Sequence, residues 1–299
     1  MGDSQSETGG FDAATAGRYH ILSEIGRGGM AVVYRARDNR YGNDVAFKLL
    51  RVELGLTVTA RRFAREIRIA SALEHPNILP VLDSGELQGL PFYVMPLVDG
   101  PTLERQLHLV RQMDITTAVR LAGEVADALS YAHAQDVVHR DVKPSNILIS
   151  QGHALVVDFG IARHIDMEAS ERLTDSGIAL GTAYYMSPEQ ARSEKVDGRC
   201  DIYSLGCVLY EMLCGSPPFR AASPQAVFGR HATDPVPSLR AVRADVPPAL
   251  EAAIMKALSK SPDDRYDDPI DLKFAIDRAV AEYKPSWIKR LRARFFRAS

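Results

Sequence analysis

From Tyr19 to Leu50 apolar and polar positions alternate or cluster with β-branched residues. YHILSEI, VVYRAR and DVAFKLL are separated by GRGG and DNRYGN. A period of two broken by glycine and turn residues predicts three strands. Over residues 57–73 the period lengthens. Phe63, Ile67 and Ala70 or Ser71 fall at helical spacing, so a helix is expected there. Two further strands are predicted around Ile78–Ser84 and Phe92–Met95. The stretch Val98–Pro101 (VDGP) reads as a connector.

Beyond the connector the period is 3.6. Leu121, Val125, Leu129 and Ala132 make one apolar helical face, and Ile202, Leu205, Leu209 and Met212 make another. Ala249–Leu258 and Leu272–Val280 predict two more helices. Between the first two lie short strand-like pieces, VVH, NILIS and ALVVDFG. A mostly β first third and a mostly α remainder predict two lobes joined near residues 95–101. No internal repeat is visible.

Composition narrows the class. The 299 residues are 46% hydrophobic and 25% charged, which excludes wholesale disorder and collagen-like repeats. A net charge of −2 gives no reason to expect nucleic acid as a partner. Cys200, Cys207 and Cys214 lie seven apart on one helix face, with no zinc-type spacing, as expected of thiols in a reducing compartment. No apolar run approaches the ~18 residues of a membrane span, and no signal peptide is evident, so a cytoplasmic location is expected. Residues 1–17 are small and polar and are expected to form a disordered leader.

The ends differ in charge. The last sixteen residues, KPSWIKRLRARFFRAS, contribute +6, which leaves −8 for residues 1–283. Trp287, Ile288, Leu291 and Phe295 lie at roughly helical spacing among the bases. Residues 281–299 therefore read as a basic amphipathic tail. Packing of its aromatics on the lower lobe, a peripheral contact with an anionic membrane, and binding of nucleic acid or an acidic partner are all open.

Candidate chemistry concentrates in a few segments. Gly26-Arg27-Gly28-Gly29-Met30-Ala31 lies between two predicted strands, where glycines let backbone N–H groups approach phosphate oxygens. A glycine-rich hairpin alone is more often only a turn. Lys48 ends the apolar strand VAFK one hairpin later, within reach of phosphates under that loop. Glu66, on the predicted helix, is a candidate counter-charge. HRDVKPSN (His139 to Asn146) packs an acid, bases and an amide into one turn, and Asp158-Phe159-Gly160 follows. Phosphoryl transfer needs hard oxygen ligands for a cation, a group to orient the attacking hydroxyl, and cations on the phosphates. Asn146 and Asp158 suit the first, Asp141 the second and Lys143 the third.

These motifs occur in the order of a known family. The chain resembles the protein kinases, and most closely the bacterial Ser/Thr kinases of eukaryotic type, over about residues 19–280. The series runs glycine loop, VAFK, helix glutamate, HRDVKPSN, DFG, GTAYYMSPEQ, DIYSLG and DDRY. The resemblance implies an α+β, bilobal protein kinase fold. Its N-lobe (18–95) would be β-rich with one main helix, its hinge 96–101, and its C-lobe (102–280) mostly α-helical. It implies ATP with Mg2+, or Mn2+ as the alternative. Gly26 to Val33 would cover the nucleotide, with Val33 and Ala46 above the adenine and Leu148 below it. Lys48 would bind phosphates and pair with Glu66. Asp141 would be the catalytic base, and Asn146 and Asp158 the metal ligands. Glu189 would pair with Arg265, and Asp201 would brace the catalytic loop.

Departures are few. Ala31 stands at the third loop glycine. In the connector, Met95 would be the gatekeeper, Pro96 the carbonyl acceptor and Val98 the N–H donor for adenine; proline there loses only an N–H that is not needed. Lys143 with Thr182 resembles the Ser/Thr class rather than the tyrosine class. Arg140 before Asp141 implies control by activation-segment phosphorylation, with Thr174 and Ser176 at the expected positions. The resemblance also implies a homodimer through the back of the upper lobe, with Arg18 and Asp83 placed for an ion pair across it. The expected activity is phosphorylation of protein Ser or Thr hydroxyls. The alternatives are a pseudokinase or scaffold module, which would lack a Lys48, Asp141 or Asp158 equivalent, and a small-molecule kinase, which would lack GTAYYMSPEQ.

Overall fold

The computed structural model describes residues 17–28, 31–50, 67–159 and 180–283. Strands β1 (Tyr19–Arg27), β2 (Ala31–Asp38), β3 (Asn43–Leu50), β4 (Asp83–Leu87) and β5 (Leu90–Pro96) form one antiparallel sheet in the order β1-β2-β3-β5-β4. Period-two alternation divides β5 between two cores. Phe92 and Val94 join Tyr19, Phe47 and Leu49 on the outer face, whereas Tyr93 and Met95 join the large core that continues into the helical lobe. Register places Ala46 opposite Met95, and Lys48 opposite both Val33 and Tyr93.

The strand expected at Ile78–Ser84 is displaced, and β4 begins only at Asp83. Pro80 has no N–H to give a ladder, so the preceding apolar run leaves the sheet. It crosses to the other lobe, where Ile78 forms a parallel bridge with Val156. Most of the helix expected over 57–73 lies outside the described residues; residues 67–70 are helical. The expected leader 1–17 and the tail beyond 283 also fall almost wholly outside them.

Arg18 and Asp83, expected to pair across two copies, also meet within one chain. Arg18 Nη1 lies 2.5 Å from Asp83 Oδ2 within one chain, and the Tyr19 hydroxyl donates to the same oxygen at 2.7 Å. Arg18 Nη2 also lies 3.6 Å from Asp38 Oδ2, so within one chain its charge is shared between two carboxylates.

After β5 the backbone runs extended into Thr102, whose hydroxyl caps α1 (Leu103–Val110) by accepting from the Arg105 N–H at 3.1 Å. Gly100 makes this junction possible. A Cβ there would lie 2.0 Å from the Ile149 carbonyl oxygen, and the Ile149 N–H donates to Pro101 O at 2.9 Å. The connector is therefore seated against β6 (Ile147–Ser150), which pairs with β7 (His153–Val156).

The lower lobe is built on α2 (Ile115–His133), capped by Asp114, with a face of Leu121, Val125, Leu129 and Ala132 fully buried. The later helices among the described residues are α3 (Leu180–Ala183), α4 (Pro188–Ala191), α5 (Arg199–Cys214), α6 (Pro224–Thr233), α7 (Leu239–Val242), α8 (Pro248–Ala257) and α9 (Pro269–Ala281). Helix α5 is buried on nearly every side and carries Cys200, Cys207 and Cys214 as buried free thiols. A helix that is buried all round hides its period, yet this one still shows it in sequence. The piece VVH, expected as a strand, is not one. Its Val137 N–H donates back to Ala132 O at 3.0 Å, and the N–H groups of His139 and of the following Arg140 are taken by a side chain of α5 instead of by a neighbouring strand.

Candidate active site

That side chain is Asp201. Its carboxylate is fully buried and accepts the His139 N–H at 2.8 Å and the Arg140 N–H at 2.7 Å. The His133 ring reaches it at 2.8 Å. Gly198 clears the way for that ring, since a Cβ there would approach it to 2.7 Å. Burial pushes the Asp201 carboxyl up, but the His133 hydrogen bond and the charges of His133 and His139 win, and it is held below its ordinary value. Arg140 takes a left-handed backbone, φ 65°, and its carbonyl accepts from Gln190 Nε2 at 3.0 Å. The loop between α2 and β6 is therefore shaped by α5 on one side and α4 on the other.

In this loop the candidate groups converge. Lys143 Nζ lies 2.8 Å from Asp141 Oδ2 and donates to Thr182 Oγ1 at 3.0 Å. Asn146 Nδ2 donates to Asp141 O at 2.9 Å and to Asp141 Oδ2 at 3.0 Å. Asp158 follows β7 with φ 65°, a strained position for a residue with a Cβ. Its Oδ2 receives Lys48 Nζ at 2.5 Å, and its Oδ1 receives the Tyr93 hydroxyl. Burial pushes the Asp158 carboxyl up, yet the Lys48 charge and both hydrogen bonds hold it below the usual carboxylate range. Phe159, buried beside it, packs on the His139 ring at 4.7 Å.

The donor set fits a divalent cation of the magnesium type. The Asn146 amide hydrogens are used by Asp141, which leaves Oδ1 as a hard oxygen donor, and Asp158 supplies a carboxylate. Such a cation is held by one or two protein oxygens and completes its shell with water and substrate phosphate. No protein cage of three or more His, Cys, Asp or Glu is gathered among the described residues.

The upper boundary of the cleft is partly described. The Gly28 N–H donates to Ala31 O at 2.9 Å and closes the tip of the β1–β2 hairpin; Gly29 and Met30 lie outside the described residues. Gly26 pairs with Val33. The Arg27 guanidinium pairs with Glu24 on the exposed strand surface. Ala46 and Met95 face each other across β3 and β5, and Pro96 pairs with Val45. Leu148, half-buried, bridges to Thr102 from below, and Val98 lies in the connector. Glu66, Thr174 and Ser176 lie outside the described residues, so Lys48 is seen with Asp158 as its partner.

Below the site, Arg265 donates to Glu189 from both Nη1 and Nη2 at 2.7 Å. The residue that sequence reasoning missed is Tyr93. Its signal was available: it lies two positions before Met95 in a strand, hence on the same face, but that face also reads as plain core.

The sequence model of the protein kinase domain matches residues 19–268. The chain belongs to the protein kinase family. Among curated proteins, this kinase is 45% identical over 263 residues to "Serine/threonine-protein kinase PknB" of Mycolicibacterium smegmatis, covering 86% of this chain and 42% of that protein. It is 42% identical over 275 residues to PknB of Mycobacterium leprae, covering 90% and 44%. It is 43% identical over 263 residues to PknB of Mycobacterium tuberculosis, covering 86% and 42%. The chain spans less than half the length of these relatives. No helix among the described residues is long and apolar enough to cross a membrane.

Proposed function

We propose that this kinase transfers the γ-phosphoryl group of ATP to Ser or Thr hydroxyls of proteins, its own activation segment included. The observation that carries this is the intact set around Asp141: Lys143 at 2.8 Å and the Asn146 amide at 3.0 Å from the same carboxylate oxygen. Asp141 accepts the proton of the attacking hydroxyl as its oxygen bonds to phosphorus and the bond to the ADP oxygen breaks. Lys143 neutralises charge on the moving phosphoryl group, and Thr182 fixes the lysine. Lys48 exchanges Asp158 for the nucleotide phosphates. Asp158 and Asn146 would hold Mg2+, or Mn2+ in its place, which screens phosphate charge when bound. The Lys143–Thr182 contact supports the Ser/Thr class, as do the printed names of the relatives. None of Lys48, Asp141 or Asp158 is missing, which leaves the pseudokinase without a supporting feature.

The test is transfer of labelled phosphate from ATP by purified wild type and Asp141→Asn, with the modified sites mapped by mass spectrometry. Transfer by the wild type onto Ser or Thr, lost in the variant, is expected. No transfer by the wild type with Mg2+ or Mn2+ overturns the proposal. Two smaller proposals accompany it. Binding of anionic vesicles that is lost on deleting residues 284–299 would place the tail at a membrane surface. Sedimentation at high concentration tests the homodimer.

A further inference from the structure

Both oxygens of Asp158 are held from the sheet lobe, by donors of different kind. Lys48 is a long, mobile cation whose expected work on phosphate takes it away from Asp158. Tyr93 stays. It is 1% exposed and sits on β5, which is flanked by β3 and β4. It lies directly opposite Lys48 in register, with the Lys48 ammonium 5.6 Å from its ring centroid. Its hydroxyl donates to Asp158 Oδ1 across the cleft, from one lobe to the other.

The chemistry of the two donors separates their roles. An ammonium cancels the charge of the carboxylate and so competes with any other cation there. A phenol is neutral: it occupies one lone pair and leaves the full negative charge for a cation at the remaining ones. Asp158 also needs such a hold. Its backbone is in the left-handed region at φ 65°, which persists only where surrounding contacts over-determine it.

We propose that Tyr93 is a positioning residue for the divalent cation at Asp158, its hydroxyl fixing the carboxylate while Lys48 is engaged by phosphate. This rests on the reading of Asp158 as a metal ligand.

The experiment is calorimetric titration of a non-hydrolysable ATP analogue into the full chain at graded Mg2+ concentrations, for wild type, Tyr93→Phe and Tyr93→Leu. Thermal unfolding of each is recorded alongside. Phenylalanine removes only the hydroxyl; leucine also removes ring packing. Both variants should need about tenfold more Mg2+ for the half-maximal gain in nucleotide affinity, as loss of one hydrogen bond to a charged group implies. Their metal-free affinity should match the wild type. Only Tyr93→Leu should show a clearly lowered melting temperature. An unchanged Mg2+ requirement in Tyr93→Phe, or a shift confined to Tyr93→Leu, overturns the role of the hydroxyl. A wild type whose nucleotide affinity ignores Mg2+ instead overturns the metal-ligand reading of Asp158, a result distinguishable from the other two.

Discussion

Arg265 and Glu189 form a buried two-pronged ion pair, with side chains 0% and 4% exposed and both N–O distances 2.7 Å. The pair is 76 residues apart in sequence and ties the segment before α9 to α4. Arg265 completes its donors on the carbonyls of Arg199, Ser259 and Lys260. The geometry needs a planar fork, which lysine lacks.

Breaking a buried pair leaves one charge unmatched, which costs about 3–5 kcal/mol. Glu189→Gln and Arg265→Ala should each unfold at markedly lower denaturant concentration, and Arg265→Lys should recover only part of the loss. Burial pushes the Glu189 carboxyl up, but the Arg265 hydrogen bonds and charge hold it below its ordinary 4.5. The pair therefore contributes its full stability above pH 4.5 and loses it as pH falls through the lower folded value. Equal denaturation midpoints for wild type and Glu189→Gln at pH 7 would contradict this.

His231 should give a separate acid-sensitive window. It is fully buried on α6, with Nδ1 2.7 Å from the Tyr203 hydroxyl and its carbonyl accepting Lys260 Nζ at 2.8 Å. Burial, then the Lys260 charge, lowers it from 6.5 to about 4. The unfolded chain thus binds a proton that the folded chain refuses between those values. Stability should fall as pH drops from 6.5 toward 4, with a slope of up to about 1.4 kcal/mol per pH unit from this group. Denaturant titrations of His231→Gln across the same range should show a flatter profile.

Arg18→Ala should change stability slightly and association not at all. The pair with Asp83 lies within one chain and is about a third exposed, 31% and 28%, which limits its worth to about 1 kcal/mol or less. Sedimentation of wild type and variant should give the same mass at the same concentration. A dimer that becomes a monomer on this substitution would show that the pair is exchanged between copies.

Thr174→Ala combined with Ser176→Ala should lower peptide phosphorylation at least about tenfold, because a phosphate there supplies charge and acceptors that an arginine can pair with. Arg140 is the arginine expected to receive it. Unchanged turnover of the double variant would remove this control.

The sheet and the main helices were legible because their periods are strong. The three strands from Tyr19 to Leu50 and the faces of α2 and α5 stand where alternation and 3.6-residue spacing put them. Two segments misled for physical reasons. Ile78–Val81 is apolar enough for a strand, but Pro80 denies it a ladder. Val137–His139 has strand composition, but Val137 bonds back to the end of α2 and His139 to a carboxylate 62 residues further on, and periodicity cannot see such partners. In the site, ordered motifs pointed to Asp141, Lys143, Asn146 and Asp158, which the fold brings together. Tyr93 shares a strand face with Met95, but a buried tyrosine in a strand looks like packing until its hydroxyl is followed.

The hold of Asp201 on the loop has a consequence for motion. His139 and Arg140 have the irregular backbone of a loop, a class whose amides normally exchange with solvent through small local openings. Here their N–H groups end on a carboxylate with no exposed surface, in a helix buried on nearly every side. Neither amide can open unless α5 itself shifts. In deuterium exchange both should be protected with the helix core rather than with the surrounding loops. The loop then melts with the whole lobe and not ahead of it.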